Sequence, residues 1–261
     1  GNYALDALTS GDDMVCIGNN AGTLNTTGTS GVFVGTSAGA ARVEGEGVTA
    51  VGSSAGSGIT SGSYNTMIGE STGAYGVVLT TGVRNICMGN YTHTSAVDSE
   101  KQHVFGYNVV GAGNSTFTFG DGTTDSSIAF GATSVSAPSD IRLKRNIKDD
   151  VAGLSFINDL RPVTYEWKKE KDIPEELNAH VADSEKTFNN EFVNHGFIAQ
   201  EVKEAIDNHS EIKDGFKMWF EDDIDGRQRI AEGALVPMLV KAMQELSAKN
   251  DALLARIETL E

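Results

Sequence analysis

Ser139 and Lys144 stand five residues apart in the dodecamer SDIRLKRNIKDD (139–150). A serine hydroxyl is a poor nucleophile until a base takes its proton. A lysine acts as that base only when neutral, so burial or neighbouring cations must lower its pKa. Arg142 and Arg145 flank Lys144 and could supply the cations, and Asp140 opposes them unless it pairs with an arginine. The bond within reach joins Pro138 to Ser139. Attack of the Ser139 hydroxyl on the Pro138 carbonyl is an N-to-O acyl shift, and water then hydrolyses the ester. Pro138 stiffens the peptide before the serine. A plainer description also fits: Ser139 and Asp140 cap a turn, and Lys144 is a solvated charge. On the five-residue spacing alone the plainer one is preferred.

Other chemistry-bearing residues are dispersed. His93, His103, His180, His195 and His209 show no metal-type pairing with each other or with cysteine. No metal and no cofactor is expected. His103 falls at an inward-facing repeat position, where three copies could meet on an axis around a metal or anion, although a packed or exposed histidine is the simpler reading. Glu44, Glu46, Glu70, Asp98 and Glu100 could include a glycosidase pair, but nothing fixes their separation. Solvated surface carboxylates account for them as well. Trp167 and Trp219 read as core or subunit-contact residues. Cys16 and Cys87 occupy one position of a repeat and read as small buried apolar residues rather than a disulfide framework.

The elements that position these residues fall into two halves. Of 30 glycines, 25 precede residue 139, whereas 43 of 56 charged residues follow Pro138. That shift sets a domain boundary between 1–138 and 139–261. The net charge of −16 argues against nucleic acid, which needs clustered Lys and Arg. No 18-residue apolar run predicts membrane insertion, and no signal peptide opens the chain. Gly1 in place of a start methionine suggests a piece of a longer protein.

The first half repeats itself. VCIGNNAG (15–22), VFVGTSAG (32–39), TAVGSSAG (49–56) and TMIGESTG (66–73) align without gaps at a spacing of 17 residues. Looser copies end at Gly89, Gly106, Gly120 and Gly131. A fixed period predicts stacked, solenoid-like architecture. Each unit carries a short β-prone run with apolar residues on both faces, such as Val32, Phe33 and Val34. Strands apolar on both faces are buried on both, which one thin coil cannot arrange. A parallel homo-oligomer with one strand face lining a shared interior is therefore expected. The glycines are expected to supply positive φ or close backbone approach. The repeat style resembles the β-roll heads of trimeric autotransporter adhesins and the β-structured shafts of phage tail fibres. A calcium-binding nonapeptide solenoid is the competing pattern, and only FGDGTTD (119–125) comes near it.

In the second half, residues 170–192 are charged and aperiodic, and a hairpin turn is predicted at Asp225-Gly226. A coiled coil is predicted over about 235–261. Its a positions are Val236, Met243, Asn250 and Ile257, and its d positions are Leu239, Leu246, Leu253 and Leu260. Asn250 is the polar a residue that fixes register. A helix packed only on its own domain is the alternative.

SDIRLKRNI (139–147), YEWK (165–168), HGFIAQEV (195–202) and GALVPMLVKAMQEL (233–246) occur in that order. Together they resemble the C-terminal intramolecular chaperone domain of phage tail fibres and tailspikes. That domain is similar to the self-cleaving segment of some membrane-bound transcription factors. The resemblance implies a domain that trimerises, drives folding of the preceding β-rich fibre and then cuts itself off with a serine–lysine dyad. Carried onto this chain, Ser139 is the nucleophile, Lys144 the general base and Pro138–Ser139 the bond cut. His195 falls in the third motif and reads as structural.

The expected fold class is mainly β then α+β. A trimeric β-solenoid or β-roll-like segment precedes a mixed chaperone domain that ends in a long coiled-coil helix. The implied function is the end of a virion tail fibre, assembled in the host cytoplasm. Its partners would be two further copies of the chain and a bacterial surface receptor, either a glycan or an outer-membrane component. A non-cleaving trimeric adhesin and a glycan-degrading tailspike are the alternatives.

Overall fold

A computed structural model describes residues 1–260. The chain divides into two compact units, Gly1–Arg145 and Asn146–Glu261.

The first unit is a β-solenoid. Strands β1 (Val15–Ile17), β2 (Val32–Val34), β3 (Thr49–Val51), β4 (Thr66–Ile68), β5 (Ile86–Met88), β6 (Gln102–Gly106) and β7 (Thr116–Gly120) stack in chain order as a parallel sheet. Residues one period apart pair directly, as in Val15 with Val32 and Val32 with Thr49. Only the middle residue of each short strand points inward. Phe33, Ala50, Met67, Cys87 and Val104 are fully buried, and Ala21, Ala38 and Ala55 form a second buried column. Burial pushes the thiol of Cys87 up to about 12 and that of Cys16 to about 11, as befits core cysteines. The flanking strand residues face out. Most are apolar too, and Ile17 remains 59% exposed.

The glycine spacing has a steric cause. Gly18, Gly35, Gly52, Gly69, Gly89 and Gly106 all have φ between +120° and +137°. A Cβ on Gly52 would lie 2.5 Å from the carbonyl oxygen of Gly69 in the next rung. Only glycine lets the rungs close to strand spacing there.

Apolar residues do not fill the whole interior. Asn65, Asn85 and Gln102 are fully buried and form an amide ladder. Asn85 Nδ2 donates to Asn65 Oδ1 at 3.0 Å, and the Gln102 backbone N–H donates to Asn85 Oδ1 at 2.9 Å. Each rung thereby satisfies the next, as buried amides require.

The last of the loose repeats departs from the pattern. Strand β8 (Ser126–Ala129), inside the copy that ends at Gly131, runs antiparallel to β7. Only five residues separate the two strands, too few for the dozen or more of a parallel crossover. FGDGTTD is the turn between them. Asp125 Oδ1 accepts from the Gly122 N–H at 2.8 Å, and Asp121 Oδ1 accepts from the Thr123 N–H at 3.0 Å. Its aspartates are spent on capping this turn.

The second unit is α+β. Helix α1 (Leu154–Asp159) precedes the pair β9 (Val163–Tyr165) and β10 (Asn194–Gly196), which run antiparallel. The charged segment between them is mostly loop, tied by Lys169 and Lys171 to Glu185. These two ammonium groups hold the Glu185 carboxyl at about 2. Helix α2 (Ala199–Asn208) is followed by the hairpin β11 (Trp219–Glu221) and β12 (Gln228–Ile230). Gly226 in its turn has φ +68°. Phe156, Val202, Ile206, Met218, Leu235 and Met238 form the core. Trp219 packs against it, and Trp167 packs between Tyr165 and Phe188.

Helix α3 (Val236–Glu258) closes the unit. Met238 and Ala242 are its buried residues, and the Glu245 carboxylate caps α1 by accepting the Leu154 N–H at 2.9 Å. The a and d residues lie elsewhere on the helix. Val236, Leu239, Met243, Leu246, Leu253 and Ile257 are all exposed, as is Leu260 just beyond the helix end. Asn250 is exposed as well. The expected coiled-coil range ends on Glu261, which lies outside the described residues. Among the described residues no helix is long and apolar enough to cross a membrane.

Candidate functional site

The chain reaches Ser139 along a fixed path. Ser136 forms an antiparallel bridge to Ser127 of β8, with backbone bonds of 2.7 and 2.8 Å and a hydroxyl contact of 2.9 Å. Pro138 follows two residues later. Asp140 then caps a short 3₁₀ turn, Ile141–Leu143, by accepting the Arg142 N–H at 2.9 Å. The Lys144 N–H closes the turn on the Ile141 carbonyl at 3.1 Å. One tight turn therefore folds residue 144 back toward residue 139. Lys144 Nζ donates to Ser139 Oγ at 2.7 Å.

Arg142 is not free to act on the lysine. Its guanidinium forks onto Asp140, with Nη2 2.6 Å from Oδ2 and Nε 3.0 Å from Oδ1. The pair holds the Asp140 carboxyl below the usual carboxylate range and raises Arg142. Asp140 thus pairs with an arginine, the condition under which it would not oppose the dyad. Arg145 is exposed and makes no ion pair among the described residues. Ser139, Asp140 and Lys144 are exposed too. A 520 Å³ cleft beside them is lined by Thr123, Thr124, Ala137, Pro138, Leu143 and Lys144.

In this geometry an ammonium donates to the serine. A neutral amine would reverse the bond and accept the hydroxyl proton, which is the direction nucleophilic attack requires. The two reacting groups are in contact, and solvent reaches both.

The other candidates belong to other elements. His103 sits on the outward face of β6, between Ile86 and Phe117 in register, with its ring 4.9 Å from Phe130. His195 lies on β10, opposite Thr164. Glu44, Glu46, Glu70, Asp98 and Glu100 are exposed. No group of metal-binding side chains is present among the described residues.

Two features escaped sequence reasoning. His209 is nearly buried in the second unit, with Nε2 2.8 Å from Asp159 Oδ2 and Nδ1 2.9 Å from Glu211 Oε1. No spacing signals a pair 50 residues apart. Arg42 is fully buried in the solenoid. Its signal was available, since it occupies the repeat position held by Ile59.

Residues 139–211 match the family model described as chaperone of endosialidase. The match begins on Ser139 and covers a little over a quarter of the chain. No curated protein and no solved structure matches the chain. A chaperone-type domain therefore follows a β-solenoid, and the Ser139–Lys144 contact lies at the end of the first compact unit, where the match begins.

Proposed function

We propose that the chain is the C-terminal part of a phage tail fibre or tailspike, in which a homotrimeric β-solenoid is folded by a C-terminal chaperone that then releases itself. The observation that carries this reading is the 2.7 Å contact between Lys144 Nζ and Ser139 Oγ at the first residue of the chaperone match. Neutral Lys144 takes the Ser139 hydroxyl proton while Oγ attacks the Pro138 carbonyl carbon. The C–N bond breaks, and the lysine returns its proton to the departing Ser139 amine. Water then cleaves the Pro138 ester, leaving a carboxylate on one chain and a free Ser139 at the head of the other. Each chain cuts once, in cis.

Two unpartnered apolar surfaces support the trimer. One is the outward face of the solenoid sheet, where Ile17, Val34, Val51, Ile68, Met88 and Phe105 form a column. The other is the a/d stripe of α3, where Met243 is 67% and Leu246 42% exposed. Both repeat with a fixed step, and a parallel copy of the same chain matches that step along its whole length. In the trimer the neighbouring copies exclude water from Lys144, so that cutting follows assembly. The fibre's solenoid would meet a bacterial surface receptor.

Intact mass under denaturing conditions, with Ser139→Ala alongside, tests the chemistry. Wild type is expected to yield a chain that begins at Ser139, and the variant only the full chain. An uncut wild type would remove the catalytic roles of Ser139 and Lys144 and leave a permanent trimerisation clamp.

A further inference from the structure

Tyr75, Tyr91 and Tyr107 meet on the surface of the solenoid. The ring centroids of Tyr75 and Tyr91 stand 4.9 Å apart at 56°, and those of Tyr91 and Tyr107 stand 6.1 Å apart at 80°. Tyr75 is 52% and Tyr107 59% exposed. All three lie outside the strands, with Tyr91 and Tyr107 in the turns that follow β5 and β6.

The repeat alone does not bring them together. Tyr107 directly follows a rung glycine, Gly106, whereas Tyr91 stands two residues after Gly89. Tyr75 holds neither position. The rung glycines Gly69 and Gly89 are 20 residues apart instead of 17. Leu79 N–H donates to the Gly73 carbonyl as Ile59 N–H does to Gly56, so the three extra residues fall between Gly73 and Leu79. That enlarged segment carries Tyr75. Three different repeat positions thus converge on one spot.

Tyr91 is also unfavourable where it stands. Its φ is +58°, in the left-handed region that bulky side chains avoid. The four rungs before it place Asn20, Ser37, Ser54 and Ser71 there, and the rung after it places Asn108. Only the terminal rung repeats the tyrosine, as Tyr3, which pairs with no other ring among the described residues. Strained residues of this kind gather at functional sites.

The chemistry of the cluster selects its ligand. A tyrosine offers a rigid apolar ring and a polar tip at little entropic cost. Glu70 and Asn90, both exposed, occupy the Tyr107 position on the two preceding rungs, and exposed Asn108 follows Tyr107. Ring faces beside amide and carboxylate groups match the C–H face and hydroxyl rim of a sugar. Three rungs span about 10 Å, which calls for a chain of sugars rather than one. Residues 1–138 hold ten Asp and Glu against three Lys and Arg, a balance that repels phosphate chains and anionic polysaccharides alike.

We infer that Tyr75, Tyr91 and Tyr107 form a binding site for a neutral oligosaccharide. The inference rests on the reading of the solenoid as the receptor-facing part of a fibre, and it makes that receptor a glycan.

The test presents the full chain to immobilised bacterial surface polysaccharides, a neutral set and an acidic set. Oligomeric mass and cutting at Ser139 are read on the same samples. Retention on the neutral set is expected. Tyr91→Asn and Tyr107→Asn install a residue that neighbouring rungs carry, so both are expected to fold and each to weaken binding about tenfold. Tyr3→Asn makes the same change at the same repeat position away from the cluster and is expected to bind as wild type does. A wild type that trimerises and cuts, yet binds no polysaccharide or only the acidic set, would overturn the inference and leave the fibre reading standing. Binding weakened equally in Tyr3→Asn would overturn it as well. A Tyr91→Asn chain that falls to monomers would make the tyrosines a subunit contact instead. Tyrosine-dependent binding in a wild type that neither trimerises nor cuts would keep the site and remove the chaperone reading.

Discussion

At the scale of single residues, the chemistry turns on which way a proton moves between Lys144 and Ser139. Lys144→Arg keeps the charge and the reach but cannot accept the proton, because a guanidinium stays protonated. Intact mass should show cutting slowed by roughly 10²–10⁴-fold, the usual contribution of a general base. An arginine variant that cuts at the wild-type rate would remove the base role. The residue types and spacing of this pair were legible in the sequence. The exchange of partners around it was less so: Arg142, a candidate neighbour cation, is bound up by Asp140. His209 was not legible at all, because its partner Asp159 is distant in sequence. Asp159 and Glu211 raise the folded-state pKa of His209 above its ordinary 6.5. A raised histidine stabilises the fold most when protonated, so its contribution is complete below pH 6.5 and is lost as pH climbs through the folded value. Thermal unfolding followed by Trp167 and Trp219 fluorescence should show stability falling above pH 6.5, and His209→Gln should flatten that slope.

At the scale of elements, the period of 17 was enough to place β1 to β4, because rung closure forces glycine at one fixed position. Gly52→Ala tests that cause. Its φ of +133° and the 2.5 Å approach to the Gly69 carbonyl leave no room for a methyl group. A loss of about 1–3 kcal/mol is expected, from strained backbone alone, measured by denaturant unfolding of the solenoid. Alanine tolerated without loss would mean that the rungs do not stack as described. The direction of β8 was hidden because periodicity counts residues, whereas reversal depends on the length of the connection. The inward face was also hidden. Apolar residues on both faces of each strand mark two burial surfaces without saying which one belongs to the coil's own interior. The inward residue is the central one, and that leaves the flanking columns for partners. The helix shows the same ambiguity. A strict heptad predicted α3 and its stripe, but α3 packs on its own unit through Met238 and Ala242, one position off that stripe.

For the molecule as a whole, the physics favours a nucleator that is later discarded. Neighbouring rungs are only 17 residues apart, but strands of separate chains share no covalent path, so bringing them into register would be slow to nucleate. They expose strand edges while incomplete. In the proposed trimer, helices that associate first would hold the solenoids in register at high effective concentration. If the nucleator is cut away as proposed, an unfolded fibre would lack its route back, and the mature state would be held kinetically. The net charge of −16 keeps such assemblies apart in solution. If assembly licenses the cut, Leu246→Asp isolates that step. Leu246 is a stripe residue outside the packed core, so the variant should fold as a monomer. The decisive measurement is the rate at which full-length chain gives way to a chain beginning at Ser139, by intact mass, in wild type, expected as a trimer, and in this variant, expected as a monomer, at equal concentration. Cutting in the trimer and an intact monomer is the predicted result. A monomer that cuts as fast as the trimer would mean that cutting does not depend on assembly.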